Sequence, residues 1–286
     1  MLTGVLKEYH QRHPEELLDL VVLNPGCQAI WQNNPLAHQA ILYPGRQPQF
    51  WNPVRFYLFD LWKVRRYGRE LNRDGRYHRI LFPTIQTLPE LVYHLTGTYG
   101  PHKIHRIAAD LGVPRKIYPY DLHPSETDRM EAEKQLARFS GKPVAVLHPF
   151  SGHTKKRISP AGFRKILERL QARQFATLVV GSAGEQKRLD PAWQTETAFG
   201  LPLGVLIALL QRGALFAGTD SSVAHLAAFA NTPRLAIFSP KLEPKRYLPV
   251  SEQGQVTLIR IRRGREEDSL QEFENFLNQA PPPCSA

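Results

Sequence analysis

Short aliphatic runs of strand length recur along the chain, separated by stretches of helical period, and this alternation restricts the fold more than any other feature. The runs lie at 18–23, 40–43, 79–82 and 144–147, then at 176–180, 214–217, 235–238 and 256–261. Most are followed closely by Asn, Pro or Gly. A strand that is apolar throughout rather than alternating is buried on both faces. Such strands, joined by amphipathic segments of 10–20 residues, predict parallel sheets with crossover helices on each side.

The runs fall into two clusters, and 286 residues suffice for two domains of ordinary size. A polar helix over 125–139 precedes Ser140-Gly141-Lys142-Pro143, where Gly and Pro stop the helix and reset the chain. The expected domains are therefore 1–141 and 142–286. A last amphipathic helix over 266–279 carries Leu270, Phe273 and Leu277 on one face and could pack back on the first domain. The tail at 281–286, with three prolines, is expected to fray. The chain opens with a helix over 2–13 and only then reaches a strand, whereas a doubly wound domain begins strand–turn–helix.

Lys and Arg total 37 against 26 Asp and Glu, for a net charge of +11 that favours anionic partners. The only cysteines, Cys27 and Cys284, exclude a disulfide framework and a cysteine zinc cage. No apolar run approaches the ~18–20 residues of a membrane span, and residues 1–10 have no signal-peptide pattern. The expectation is a soluble cytoplasmic protein whose basic surface can touch a membrane.

Three stretches carry chemistry. In the first, a strand over 214–217 runs through Gly218-Thr219-Asp220 into an Ala-rich helix whose first turn holds Ser221 and Ser222. A helix N-terminus at the carboxyl end of a parallel strand presents unpaired N–H groups and partial positive charge, which suits a phosphate. His225, four residues after Ser221, shares its helical face. Asp220 as a simple N-cap, with His225 half-buried, accounts for the same residues.

In the second, the strand over 144–147 ends in His148-Pro149-Phe150-Ser151-Gly152-His153-Thr154-Lys155-Lys156-Arg157, before Ser159 caps a helix with Pro160 at its first position. Cations at the carboxyl edge of a sheet suit a diphosphate, Lys as a point charge and Arg as a fork. A solvated basic loop is the plain alternative. In the third, Leu178-Val179-Val180-Gly181 leads through Ser182-Ala183-Gly184 to Glu185, and a carboxylate past a strand end commonly accepts ribose hydroxyls.

In order along one half of the chain, these blocks form His-Pro-x-Ser-Gly-x-x-x-Lys-Arg, Val-Val-Gly-x-x-x-Glu and Asp-Ser-Ser-x-x-His-Leu-Ala-Ala, followed by Ile237-Phe238-Ser239-Pro240. The pattern, over roughly 143–249, resembles the ADP-heptose:lipopolysaccharide heptosyltransferases of glycosyltransferase family 9. Residues 18–43, with Asn33-Asn34-Pro35 before a strand, are similar to the family more loosely. The resemblance implies a GT-B-type enzyme: two Rossmann-like α/β domains facing a cleft, the acceptor on the N-terminal side and the nucleotide-sugar donor, ADP-heptose, on the C-terminal side. It implies inverting transfer with no bound metal and no cofactor beyond the donor.

Carried over, Ser151, Thr154 and Lys156, with Arg157, would contact the diphosphate, Glu185 the ribose, and Asp220, Ser221, Ser222 and His225 the phosphates and donor sugar. Two departures accompany the match. Ser222 stands where the family has Gly, placing a side chain where the backbone approaches a phosphate. The family's first strand and Gly-Asp turn, whose Asp is the expected general base, have no counterpart here, so the N-terminal domain is expected to be incomplete and no residue is assigned as base.

The basic aromatic stretch over 55–79 contains Trp62, Lys63, Arg65, Arg66, Arg69, Arg73 and Arg76. It fits the anionic headgroups of a lipopolysaccharide core acceptor at the inner membrane face better than nucleic acid, although a solvated helix face is equally simple. The scattered histidines form no metal spacing, and neither a Gly-x-Ser-x-Gly elbow nor a P-loop occurs. Transfer of heptose to a lipopolysaccharide core acceptor is the leading function. A truncated relative that binds nucleotide or anionic glycolipid without turnover is the alternative, and a nucleic-acid-binding protein ranks below both.

Overall fold

The computed structural model describes residues 2–23, 25–45, 61–77, 80, 103–114, 122–152, 154–239, 251, 255–261 and 266–279. The chain forms two compact units that divide between His123 and Pro124. The expected strand at 79–82, apart from residue 80, together with His153 and the tail at 281–286, lies outside the described residues.

In the first unit, α1 (Leu2–Arg12) precedes β1 (Asp19–Val22), α2 (Pro25–Trp31) and β2 (Gln39–Leu42). β1 and β2 pair in parallel, Asp19 opposite Gln39 and Val22 opposite Leu42. Asn34 is buried and its Oδ1 accepts from the Leu36 amide at 2.9 Å, which sets the turn into β2. Val5, Leu6 and Tyr9 of α1 pack with Val22, Trp31 and Ile107. Ile107 belongs to α4 (Lys103–Asp110), which follows α3 (Leu61–Leu71).

The second unit contains α5 (Glu126–Ala137), β3 (Val144–His148), α6 (Pro160–Ala172), β4 (Ala176–Gly181), β5 (Glu196–Phe199) and α7 (Leu203–Arg212). β6 (Leu215–Thr219), α8 (Ser222–Phe229), β7 (Arg234–Ser239), β8 (Gln255–Arg260) and α9 (Glu266–Asn278) complete it. The six strands are all parallel, in spatial order β5-β4-β3-β6-β7-β8. Counted from β3, this is the 3-2-1-4-5-6 order of the doubly wound sheet, and the order in which strands are added reverses between β3 and β6.

Side chains alternate to opposite faces of the sheet and build a core on each side. Val144, Val146, Leu178 and Val180 pack with Ala132 of α5, Leu209 of α7 and Ala224 of α8. Ala145, Leu147 and Val179 pack with Phe163 and Leu170 of α6 and Phe273 of α9. Both strand faces are covered, which is why the runs read as continuously apolar.

Three differences from the sequence expectation have physical causes. The division falls before α5, not at 141/142. Ser125 caps α5 in a capping box with Asp128, and the helix lays Ala132 into the core of the second unit. Gly141 has the positive φ expected of a helix stop, but it ends an element inside this unit. The C-terminal helix α9 packs on the second unit, with Leu270, Phe273, Phe276 and Leu277 buried beside α6 and β8. β5 lies outside the sequence expectation: Glu196-Thr197-Ala198-Phe199 is short, half polar, and pairs among the described residues along one edge only.

Candidate functional site

The reversal between β3 and β6 opens a crevice at the carboxyl ends of these strands, where doubly wound sheets bind ligands. His148 ends β3 opposite Gly218 of β6, so the loops after the two strands start side by side. Gly218 is required by this approach: a Cβ there would lie 2.6 Å from the His148 carbonyl oxygen and 2.7 Å from the Phe216 ring. Thr219, fully buried, donates its hydroxyl to the Phe150 carbonyl and fastens one loop to the other.

The loop after β3 ends in a single 3-10 turn, Thr154–Lys156. It lifts Lys156 toward the β6 loop, where Nζ pairs with Asp220 Oδ2 at 2.6 Å. Arg157 Nε donates to the Ser151 carbonyl at 3.0 Å, and Arg188 Nη2 reaches the same oxygen at 3.3 Å. Ser151 is buried, and Thr154 is exposed at the start of the turn.

Asp220 is not the cap of α8. Ser221 holds the N-cap position with extended backbone, and its side chain makes no cap hydrogen bond. Its Oγ lies instead 3.1 Å from His148 Nδ1. The first turn of α8, beginning at the exposed Ser222, therefore carries the positive end of a helix whose N-cap side chain makes no hydrogen bond to it. His225, one turn along and half-buried, places its ring 5.8 Å from Phe229.

Across the crevice, Glu185 follows β4. Its Oε2 accepts from the Ser182 amide at 2.9 Å and the Ser182 hydroxyl at 3.0 Å, and lies 3.5 Å from His148 Nε2. The His148 hydrogen bond, aided by Ser182, holds the carboxyl at about 2 although partial burial pushes the other way. Gly181 leaves room for this carboxylate, since a Cβ there would lie 3.2 Å from Oε2 and 2.8 Å from the Phe199 ring.

Of the residues singled out in the sequence, Lys156 and Asp220 meet directly, Arg157 meets Ser151, and Glu185 and Ser221 are joined through His148. The sequence presents His148 only as part of the loop motif, with no role of its own. The available signal was a polar residue closing a fully buried five-residue strand, since a buried imidazole needs partners for both nitrogens. Among the described residues, no group of three or more His, Cys, Asp or Glu is placed to hold a metal ion.

A family model described as glycosyltransferase family 9 (heptosyltransferase) matches residues 102–276, which include every residue of this crevice. Among solved structures, the chain is similar to a glycosyl transferase family 9 protein from Veillonella parvula DSM 2008, at 16% identity and TM-score 0.71, covering 98% of this chain and 93% of that one. It is similar to E. coli ADP-heptose LPS heptosyltransferase II, at 18% identity and TM-score 0.67, covering 97% and 94%. It is also similar to E. coli heptosyltransferase WaaC with ADP, at 14% identity and TM-score 0.66, covering 96% and 95%. At these identities the likeness is one of fold: α/β with parallel sheets, of the GT-B heptosyltransferase type. No curated protein sequence matches the chain significantly.

Proposed function

The chain belongs to glycosyltransferase family 9, the heptosyltransferase family, and from that premise we propose that it transfers heptose from ADP-heptose to an acceptor hydroxyl, with inversion. The observation that carries this reading is the meeting of Lys156, Asp220, Ser221 and Glu185 at the sheet's point of reversal. One of the solved heptosyltransferases similar to this chain, WaaC, is solved with ADP.

In this reading the diphosphate lies against the uncapped first turn of α8, with Ser222 beside it, and Lys156 leaves Asp220 to meet it. Arg157 and Thr154 flank it from the β3 loop, and Ser151 holds Arg157 in place. As the glycosidic bond breaks, negative charge grows on the departing ADP. Fixed N–H dipoles and an ammonium stabilise that charge without reorganisation. Glu185 stays ionised and accepts the ribose hydroxyls through Oε1, because Ser182 and His148 approach Oε2. His225 and Asp220 line the donor-sugar side.

The acceptor in this reading is an anionic glycolipid of the lipopolysaccharide-core class. The support is α3, on which Trp62 is 54% exposed beside exposed Lys63, Arg65, Arg66 and Arg69. Arg66 lies 5.5 Å from the centroid of the Trp62 ring and pairs with Glu70 at 2.7 Å. An exposed indole among cations fits the boundary of an anionic lipid surface. Among the described residues no helix is long and apolar enough to cross a membrane.

The test is release of ADP from ADP-heptose in the presence of heptose-deficient lipopolysaccharide, with GDP- and UDP-sugars as competitors. Acceptor-dependent release from the ADP sugar alone supports the reading. Binding of ADP without release under any acceptor would favour the non-catalytic alternative.

A further inference from the structure

We infer that a basin at the amino edge of β3 and β4 is a second binding site, separate from the donor crevice, and that its ligand is a neutral hexose ring. The inference stands independently of the donor-site reading.

The loops that lead into β3 and β4 run side by side, with Val144 opposite Ala176 and the Ala176 amide bonded to the Pro143 carbonyl at 2.9 Å. They enclose a cavity of about 320 Å³, at the lower end of the range for small-molecule sites. Every lining residue lies between 138 and 176, so the second unit builds the cavity alone. The donor loops leave the other end of the same strands, about 17 Å away for a five-residue strand at ~3.3 Å per residue.

Two side chains stand there against local backbone preference. α6 ends in a Schellman turn: the Phe175 amide bonds to the Leu170 carbonyl at 3.1 Å, and the Gln174 amide to the Gln171 carbonyl at 2.9 Å. Gln174 holds the left-handed position of this turn, at φ 62°, where glycine is favoured. After α5, the Lys142 amide bonds to the Phe139 carbonyl at 3.1 Å around Ser140 and Gly141, at φ 51° and 76°. A turn left-handed at both central residues favours Gly, Asn or Asp at each. Of the three non-glycine residues with positive φ among the described residues, Ser140 and Gln174 are two, and both line the cavity.

The lining sets the class of ligand. Phe175 is half-buried and offers ring surface, while Phe139 is buried beneath Arg138, whose guanidinium carbon lies 5.4 Å from the ring centroid. Around this floor the polar groups are mixed. Arg138 and Lys142 donate, and Ser140 and the Gln174 amide both donate and accept. Gln171 gives its Nε2 to the Gln194 carbonyl at 3.1 Å and keeps Oε1 to accept. Among the described residues, the side chains of Ser140, Lys142 and Gln174 have no hydrogen-bond partner. No carboxylate lines the cavity, so a cation would find no counter-charge. An anion uses donors only, and would face these acceptors and the carbonyl ends of two helices, each carrying about half a negative charge. A ring of hydroxyl groups uses donors and acceptors alike, with its C–H face against Phe175.

The test is saturation-transfer NMR on the full chain with the methyl glycosides of glucose, galactose and mannose as probes. Saturable transfer to at least one glycoside is expected, undiminished by saturating ADP or by inorganic phosphate. The double variant Ser140→Gly/Gln174→Gly relieves both left-handed positions, so its thermal midpoint should be no lower than that of the wild-type chain. Its affinity for the glycoside should nevertheless fall about tenfold or more, for two lost hydrogen bonds. Absence of transfer to all three probes overturns the inference, as does unchanged glycoside affinity in the variant. A lowered midpoint would mean that the two side chains serve the fold instead. Displacement by ADP would put the sugar in the donor crevice, displacement by phosphate would make the basin an anion site, and either result also overturns it.

Discussion

Lys156 Nζ lies 2.6 Å from Asp220 Oδ2, and this ion pair joins the loops that leave β3 and β6. The two side chains are 34% and 25% exposed, so the pair sits at the mouth of the crevice and not in the core. Partly solvated pairs of this kind contribute about 0–1 kcal/mol to stability. A diphosphate carries more charge than one carboxylate and can take Lys156 from Asp220 at little cost to the fold.

Asp220 therefore competes with phosphate for Lys156. Asp220→Asn should tighten inorganic pyrophosphate binding by about threefold to tenfold, measured by calorimetry at low salt, and the gain should shrink as salt rises. Weaker pyrophosphate binding in that variant would mean that Asp220 orients Lys156 for the ligand instead of competing for it.

The Glu185 carboxyl, held at about 2 by His148 and Ser182, lies below its unfolded value of 4.5. A depressed carboxyl stabilises the fold fully above its unfolded pKa, and loses that contribution as pH falls toward its folded pKa. Urea unfolding of the wild-type chain and Glu185→Gln should thus differ most above pH 5, by about 1–2 kcal/mol after solvent screening of a partly exposed carboxylate. The difference should close between pH 4.5 and about 2. A difference that does not change with pH would contradict this.

Gly218 has no space for a side chain, because the first atom met is a backbone oxygen of the neighbouring strand. Gly218→Ala should lower stability by about 1–3 kcal/mol through separation of β3 and β6. The same separation displaces the loops that carry Lys156 and Asp220, so the loss should extend to ADP binding. A thermal midpoint equal to that of the wild-type chain would show that the strands absorb the methyl group without moving.

The sheet of the second unit was legible because its strands are apolar on both faces, and such runs have few other uses. β5 was not legible: with Glu196 and Thr197 among four residues, it becomes a strand only because β4 offers an edge. The helix α5 could be read from Ser125 and Asp128, but its allegiance could not, since that depends on Ala132 reaching a core assembled from residues far along the chain. In the site, the loop cations and the helix start were visible as separate motifs. The pairing of Lys156 with Asp220 across 64 positions, and the bridging place of His148 between Glu185 and Ser221, exist only once β3 and β6 are adjacent.

The central claim is that a nucleotide diphosphate docks at the start of α8 with help from Lys156. Titration of ADP into the wild-type chain and into Lys156→Ala, followed by calorimetry, tests it most directly. The account predicts saturable one-to-one binding by the wild-type chain and an affinity lower by about tenfold or more in the variant, with thermal midpoints close to each other. Equal affinity in the two proteins, or no heat from either, would contradict it.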